Sequence, residues 1–462
     1  MNDYLTMAAS AGIDIPSQTK ALMNRINRWD AIYRGSPWWR KTKKSGLYPN
    51  GMRNVALLNA AKLLCEELSA AAFTEQPTVS VSDEAYSYVT GKFLSRTSLL
   101  DRLERFLPSI CALGGGAVRL YVEDGTVSAD MVPADRFFAT GWRGDTVTEG
   151  VFVSTRRCGS SCVTLFERHG FDKEGNVAIE NSCVKSANGH SAWVKCGVKE
   201  YGNIPERIVF EGVREPMFVY IPSPAANNLF EDIPLGVSVF SSCTDTLRAL
   251  DIAFDSFSRE FVLGAKRIIV PSSAIRTVAD METGRMKRYF DANDEVFVAL
   301  KCDDSENLKV IDNTVELRVE EHISAIKALL ALACVQVGLS ANSFDFDGGS
   351  LVRTATEVIS DDSKAYRRSR GMQNILSAAV EKLVRGAVSA ECCLNEEVLS
   401  PFDVNVRFRD NIIVDDSSRI ADITALVSAG LLSKERAVME LYNLSSAEAA
   451  EELKRIGGEQ DV

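Results

Sequence analysis

Two unbroken apolar seams in the middle of the chain fix most of what it can fold into. Phe240, Cys243, Leu247, Leu250, Phe254, Phe257 and Phe261 recur at gaps of three and four, the spacing that keeps side chains on one face of an α-helix. The run predicts a helix over residues 237–264, about seven turns long and stopped at Gly264. Asp245, Arg248, Asp255 and Arg259 fall on another face of it. A second seam of Val319, Ile323, Ile326, Leu330, Ala333 and Val337 predicts a helix over residues 315–339, ended by Gly338. The segment between them, 265–314, carries Ile268-Ile269-Val270-Pro271 and strand-like runs at Glu295–Leu300 and Leu308–Ile311. Two long helices therefore bracket a small module.

After the second helix comes Ser340-Ala341-Asn342-Ser343-Phe344-Asp345-Phe346-Asp347-Gly348-Gly349-Ser350, too polar and glycine-rich for a core element. Thr354-Ala355-Thr356-Glu357 matches a capping box, in which Thr and Glu side chains satisfy free backbone N–H groups, so a third long helix starts there and runs to about Cys392. Its early turns carry Lys364, Arg367, Arg368 and Arg370, either a solvated basic face or a contact with phosphate backbone. Asp403 to Phe408 alternates as a strand, and Ser417 onward is helical, alanine-rich and charged. Upstream, Asn54–Phe73 and Leu94–Leu113 read as helices, and Ala117–Tyr220 as an antiparallel, turn-rich sheet region. The fold class is α+β.

Composition narrows the function. With 46% hydrophobic residues the chain can build a large core, and its net charge of -11 argues against tight, counterion-releasing nucleic-acid binding over a broad surface. No membrane span and no secretory leader is readable, so a cytosolic start is expected. The eleven cysteines are scattered and odd in number, which favours reduced, buried thiols. Phosphate-loop, zinc-protease and nucleophile-elbow motifs are absent, and three histidines leave little for histidine catalysis. Gly114-Gly115-Gly116 lacks the Lys and Ser/Thr of a phosphate cradle and is expected to turn a helix into a strand. The alternative to a structural role is a cytosolic zinc enzyme using Cys158, Cys162, His169, Cys183, His190 and Cys196, or an interaction module without a channel. The cysteine spacing lacks the tight paired ligands of structural zinc sites, so no metal and no cofactor is expected.

The order of elements resembles the portal proteins of tailed bacteriophages, nearly end to end. Local sequence agrees at Trp29 with Tyr33-Arg34-Gly35, Asn59-Ala60-Ala61-Lys62 with Cys65-Glu66-Glu67, Asp255-Ser256-Phe257 with Arg259-Glu260-Phe261, Lys266-Arg267-Ile268 with Val270-Pro271, Thr354 to Ser360, and Ala429-Gly430-Leu431. These look like the portals of siphophages of Gram-positive hosts. The resemblance implies a wing (1–236), a first stem helix (237–264), a clip (265–314), a second stem helix (315–339), a tunnel loop (340–353), a long wing helix with a strand (354–410) and a helical crown (411–462). It implies a non-enzymatic ring, usually a homo-dodecamer, at one capsid vertex, assembled in the host cytoplasm and carried in the virion, with no membrane partner. Double-stranded DNA would enter through it, driven by the terminase large subunit, and later leave. Head-completion or adaptor proteins and the major capsid and scaffold proteins would dock on it. Asn342, Phe344, Asp345, Phe346, Asp347, Gly348 and Gly349 would face DNA; Lys364, Arg367 and Arg368 would touch DNA or a neighbouring subunit; Phe254, Phe257, Phe261, Ile326 and Leu330 would pack the stem. Twelve copies at -11 each make -132 per ring, a charge that disfavours a sticky channel.

Overall fold

The computed structural model describes residues 4–43, 52–73, 76–159, 161–186, 193–264, 268–269, 276–279, 286–289, 311–312, 316–341, 343–344, 355–408, 416–442 and 446–459. The chain opens with α1 (Tyr4–Ala11) and α2 (Ser17–Tyr33), whose Leu22, Met23, Ile26, Trp29 and Ile32 form a buried stripe. A 3-10 turn at Trp38–Arg40 leads into the antiparallel pair β1 (Lys41–Lys43) and β2 (Met52–Asn54). Next is α3 (Ala60–Ala72), shorter than the helix expected from Asn54. Asn59 takes a left-handed conformation (φ 54°), and the N–H groups of Ala56 and Leu58 are held by distant carboxylates instead of helical carbonyls. β3 (Thr78–Val81) precedes α4 (Glu84–Thr97), capped by the Asp83 side chain accepting from the Tyr86 N–H. The helix expected over Leu94–Leu113 is two: Ser98, at φ 47°, ends α4 and begins α5 (Leu99–Leu113).

Gly114 stops α5 as the sequence suggests, at φ +88°, and β4 begins at once. A Cβ at Gly114 would lie 2.8 Å from backbone atoms of Gly236 and Val237. Gly114→Ala should therefore cost about 3 kcal/mol, from left-handed strain and a clash with backbone that has nowhere to go. Chemical denaturation of the purified chain measures it, and an unchanged midpoint would contradict this packing.

The sheet region comprises β4 (Gly115–Glu123), β5 (Thr126–Pro133), β6 (Phe137–Arg143), β7 (Thr146–Cys158), β8 (Ser161–Phe171), β9 (Val177–Ser186), β10 (Trp193–Cys196), β11 (Arg207–Phe210) and β12 (Phe218–Pro222). They form one sheet in the order β12-β4-β5 and another in the order β10-β9-β8-β7-β6, with β11 also on β9, all antiparallel. Phe137, Phe152 and Phe218 stack between the two sheets at ring distances of 5.0–5.6 Å.

The first seam becomes α6 (Thr244–Leu263), preceded by a 3-10 turn at Ser241–Cys243. Residues 237–240 are not part of it, contrary to expectation. Their backbone is tied sideways: the Ser223 hydroxyl donates to the Val237 carbonyl and the Val239 N–H to Cys111 O. Between the seams lie β13 (Ile268–Ile269), β14 (Arg276–Ala279), β15 (Met286–Tyr289) and β16 (Ile311–Asp312), paired β13 with β16 and β14 with β15. The strand expected at Glu295–Leu300 lies outside the described residues, as do Leu308, Lys309 and Val310 of the one expected at Leu308–Ile311, whose Ile311 begins β16. The second seam is α7 (Val319–Val337), followed by α8 (Ala355–Leu394), which ends close to the expected Cys392. The Thr354 cap itself lies outside the described residues. β17 (Val404–Arg407) pairs with β3, and α9 (Asp416–Ser428), α10 (Lys434–Tyr442) and α11 (Ser446–Glu459) pack on one another. The main core joins α2, α3, α5 and both large sheets to the inner ends of α6 and α7 and to Met372, Leu376, Val380 and Leu383 of α8.

Candidate functional site

α6 and α7 lie side by side, and Gly338 marks where the chain leaves α7. α6 and α7 run antiparallel. Their seam is closed at the inner end, where Leu247, Leu250, Leu330 (2% exposed), Ala333, Cys334 and Val337 are buried. It opens outward: Phe254, Phe257 and Ile326 are half-buried, and Phe261 is 46% exposed. Phe257 still meets Phe261 and His322, with ring centroids 5.1 and 5.9 Å away. At the outer end Glu260 accepts from Arg318 Nε at 3.1 Å and Nη2 at 3.0 Å, with His322 Nε2 at 3.7 Å. The Arg318 guanidinium holds the Glu260 carboxyl down to about 2, so this tie stays ionised across the physiological range.

On its other side α6 carries two carboxylates one turn apart. Asp251 accepts from Trp39 Nε1 at 2.9 Å and from the Leu58 N–H at 3.0 Å. Asp255 takes both Arg53 Nη atoms, at 2.8 and 2.6 Å, and the Ala56 N–H at 3.0 Å. The extended stretch after β2 is thus clamped to α6. Gly35 faces the Asn59 side chain alongside, so Tyr33-Arg34-Gly35, Asn59-Ala60-Ala61 and Asp255-Ser256-Phe257, far apart in sequence, share one junction. The sequence places Asp255 on a separate helix face and names no partner for it or for Asp251. The one local signal was the 251/255 repeat of aspartates beside an apolar seam.

Burial raises the Asp251 carboxyl above the ordinary aspartate range, while the Arg53 guanidinium holds Asp255 below it. Asp255→Ala removes a two-pronged charge-assisted contact and should destabilise the chain by about 2 kcal/mol at pH 7. Because the folded value is depressed, the Asp255 contribution is complete above the unfolded value of about 3.9 and is lost as pH falls through the folded one. The stability gap between wild type and Asp255→Ala, from denaturation at pH 7 and near pH 3, should narrow in acid. A constant gap would refute the ion pair.

The loop root is well defined. Gly338 (φ +92°) ends α7, and the N–H groups of Gly338 and Leu339 both return to Cys334 O, at 3.0 and 2.9 Å. Leu339 is buried, and Phe344, expected to face a channel, is half-buried and packs on the main core. Asn342, Asp345, Phe346, Asp347, Gly348 and Gly349 lie outside the described residues. Of the basic residues on α8, Arg367 is exposed, and the Lys364 side chain lies outside the described residues. Arg368 turns inward. It is half-buried, its Nε has no hydrogen-bond partner among the described residues, and that atom lies 3.3 Å from where a Cβ on Gly338 would be. Burial pushes its guanidinium below the ordinary arginine range. Next to it, Ser369 Oγ and Gln373 Nε2 donate to the Ala71 and Ala72 carbonyls, capping α3 with α8.

The cysteine-rich strands assemble no ligand set: among the described residues no three His, Cys, Asp or Glu side chains are placed to hold a metal. Cys183 and Cys196 face each other across β9 and β10, but Cys162 is exposed and lies opposite Ser186. Burial pushes the Cys183 thiol up to about 12, away from the thiolate a metal needs. His169 is buried with Nε2 2.6 Å from Glu167, which also accepts from Arg119 at 3.2 Å. His190 lies outside the described residues. Elemental analysis of the purified chain should find zinc at background, and one equivalent lost on Cys158→Ser would contradict this geometry.

The family model of the phage portal protein, SPP1 Gp6-like, matches residues 15–461. The chain belongs to that portal family. Portals are structural components of the capsid vertex, so the enzyme alternative falls. No curated protein matches the chain. Among solved structures, a chain described as "Neck of empty GTA particle computed with C6 symmetry" is 14% identical at a TM-score of 0.45, over 83% of this portal and 88% of that chain. Among the described residues, no helix of the portal is long and apolar enough to cross a membrane.

Proposed function

We propose that this portal forms a ring of about twelve copies whose stem, built from α6 and α7, surrounds a channel for double-stranded DNA. The observation that carries this reading is the helix pair itself. Each helix has a seam toward the other that is buried or half-buried except at Phe261 (46%) and Ile323 (38%) near the outer end, and Ile252 (49%), Leu332 (48%) and Val335 (59%) are exposed on their far sides. Apolar rows on both outer flanks of one hairpin suit lateral packing between copies. The strands between α6 and α7 form the clip at the outer end, where the terminase large subunit and later the head-completion or adaptor proteins dock. The wing and crown meet the capsid and scaffold proteins. The ring assembles in the host cytoplasm and remains in the virion.

The segment after Gly338 is the tunnel loop. Gly338 and the inward-turned Arg368 support this by fixing its root at the inner end of the stem. Since Phe344 packs on the core, the apolar surface offered to DNA falls to Phe346, and Asp345 and Asp347 repel phosphate so that DNA slides without ionic grip. Arg367 and Lys364 supply the weak phosphate or neighbour contact. A photo-cross-linker at position 346, in particles arrested midway through packaging, should capture DNA, whereas one at Tyr88, exposed on the wing, should not. Equal capture at both positions would reject the channel path.

A further inference from the structure

The outer rows of the two stem helices differ in charge, and the hairpin fixes their relative height. On α6, Arg248, Ile252, Ser256 and Arg259 recur at four, four and three on the side away from Phe254 and Phe257, and all four are exposed. On α7, Glu321, Ala325, Ala328, Leu332 and Val335 form a comparable exposed row away from His322 and Ile326. One row is cationic and the other anionic at the clip end; further in, the α7 row is apolar or small, while the α6 row passes through Ser256 and Ile252 to Arg248. The Glu260–Arg318 tie and the Phe257–His322 ring contact set the antiparallel register. Stepping along it, Arg259 lies level with Glu320 and Glu321, and Ile252 with Ala328.

We propose that neighbouring portals meet α6 against α7 in this register, with Arg259 of one copy facing Glu320 and Glu321 of the next and Ile252 seated over Ala328 and Leu332. The inference rests on the ring reading and specifies its contact. Two different faces on opposite flanks of one hairpin make a head-to-tail interface, which closes into a ring by rotation alone. Rotation about an axis along the stem keeps residues at their own height, so rows matched in height within one hairpin are also matched between copies. Alanines at 325 and 328 allow close approach, and the opposite charges reject a slipped register. The occupant is a second copy, because only a second copy presents the complementary row at the matching height.

Sedimentation velocity of the full chain at low salt is the test. Arg259→Glu, and separately Glu320→Arg/Glu321→Arg, should each lower the ring population by about tenfold or more, and the triple reversal should restore it. A cross-link guards against an effect on folding: Ile252→Cys/Ala328→Cys, treated with a short thiol cross-linker, should give a ladder of covalent oligomers that neither single variant gives. Reversed variants that assemble like wild type, or an intact ring with no ladder, overturn the register while leaving the ring reading standing. A wild-type chain that never forms rings overturns both.

Discussion

Leu330→Asp should leave little correctly folded portal. Leu330 is 2% exposed and sits among Ala333, Cys334 and Val337 where α7 enters the main core. An unpaired carboxylate there costs several kcal/mol, a large part of a domain's net stability of about 5–15 kcal/mol. At about 2.1 cal/mol/K of unfolding entropy per residue, a chain of this size loses roughly 1 °C per kcal/mol, so the melting temperature should fall by several degrees, with much of the protein insoluble. Phe254→Asp gives the informative contrast. Phe254 is only half-buried within one copy, so the isolated chain should stay folded while ring formation is lost. Normal rings from Phe254→Asp would remove the stem assignment, and an unchanged melting temperature for Leu330→Asp would refute the buried seam.

Asp345→Lys/Asp347→Lys should slow packaging by about tenfold at low salt without preventing assembly. Each reversal turns repulsion of phosphate into attraction, and every added ionic contact has to be broken again as DNA advances. The screening length shrinks from about 10 Å at 0.1 M salt to about 3 Å at 1 M, so the defect should become milder as salt rises. Single-particle or bulk packaging rates across a salt series measure this. Rings that assemble and package at the wild-type rate at low salt would place the loop away from the DNA path.

Elements governed by local periodicity were readable from the sequence, and those governed by distant partners were not. The apolar repeats of α7 and the length of α8 are set by spacing within one helix, and β7 and β8 by short runs of β-branched and aromatic residues that lie buried in the sheet. The start of α3 is different. Val55 and Leu58 continue an apolar helical pattern, yet the Ala56 and Leu58 N–H groups bond to carboxylates 199 and 193 residues away, which no local pattern encodes. The same holds for residues 237–240, whose helical spacing yields to bonds with Ser223 and Cys111. Ser98 breaks an apparent helix by taking a left-handed conformation without the glycine that would announce it.

At the site, Leu330 could be read as buried because its own helix repeats around it. The exposure of Phe261 could not, since a seam looks the same whether its last residues meet the same chain or a neighbour. Arg368 looked like one more cation of a basic face beside Arg367, and only the position of α7 shows which of the two turns inward. The Asp251–Trp39 contact spans 212 residues, beyond any reading of spacing.

Images of the purified full-length protein decide whether the chain closes into a ring around a channel. Particles of about 600 kDa, twelve times 50.6 kDa, with a central hole in end-on class averages are expected. Ring numbers near twelve agree with that closure. A monomer or dimer under every salt and concentration condition, with no annular particles, would contradict it.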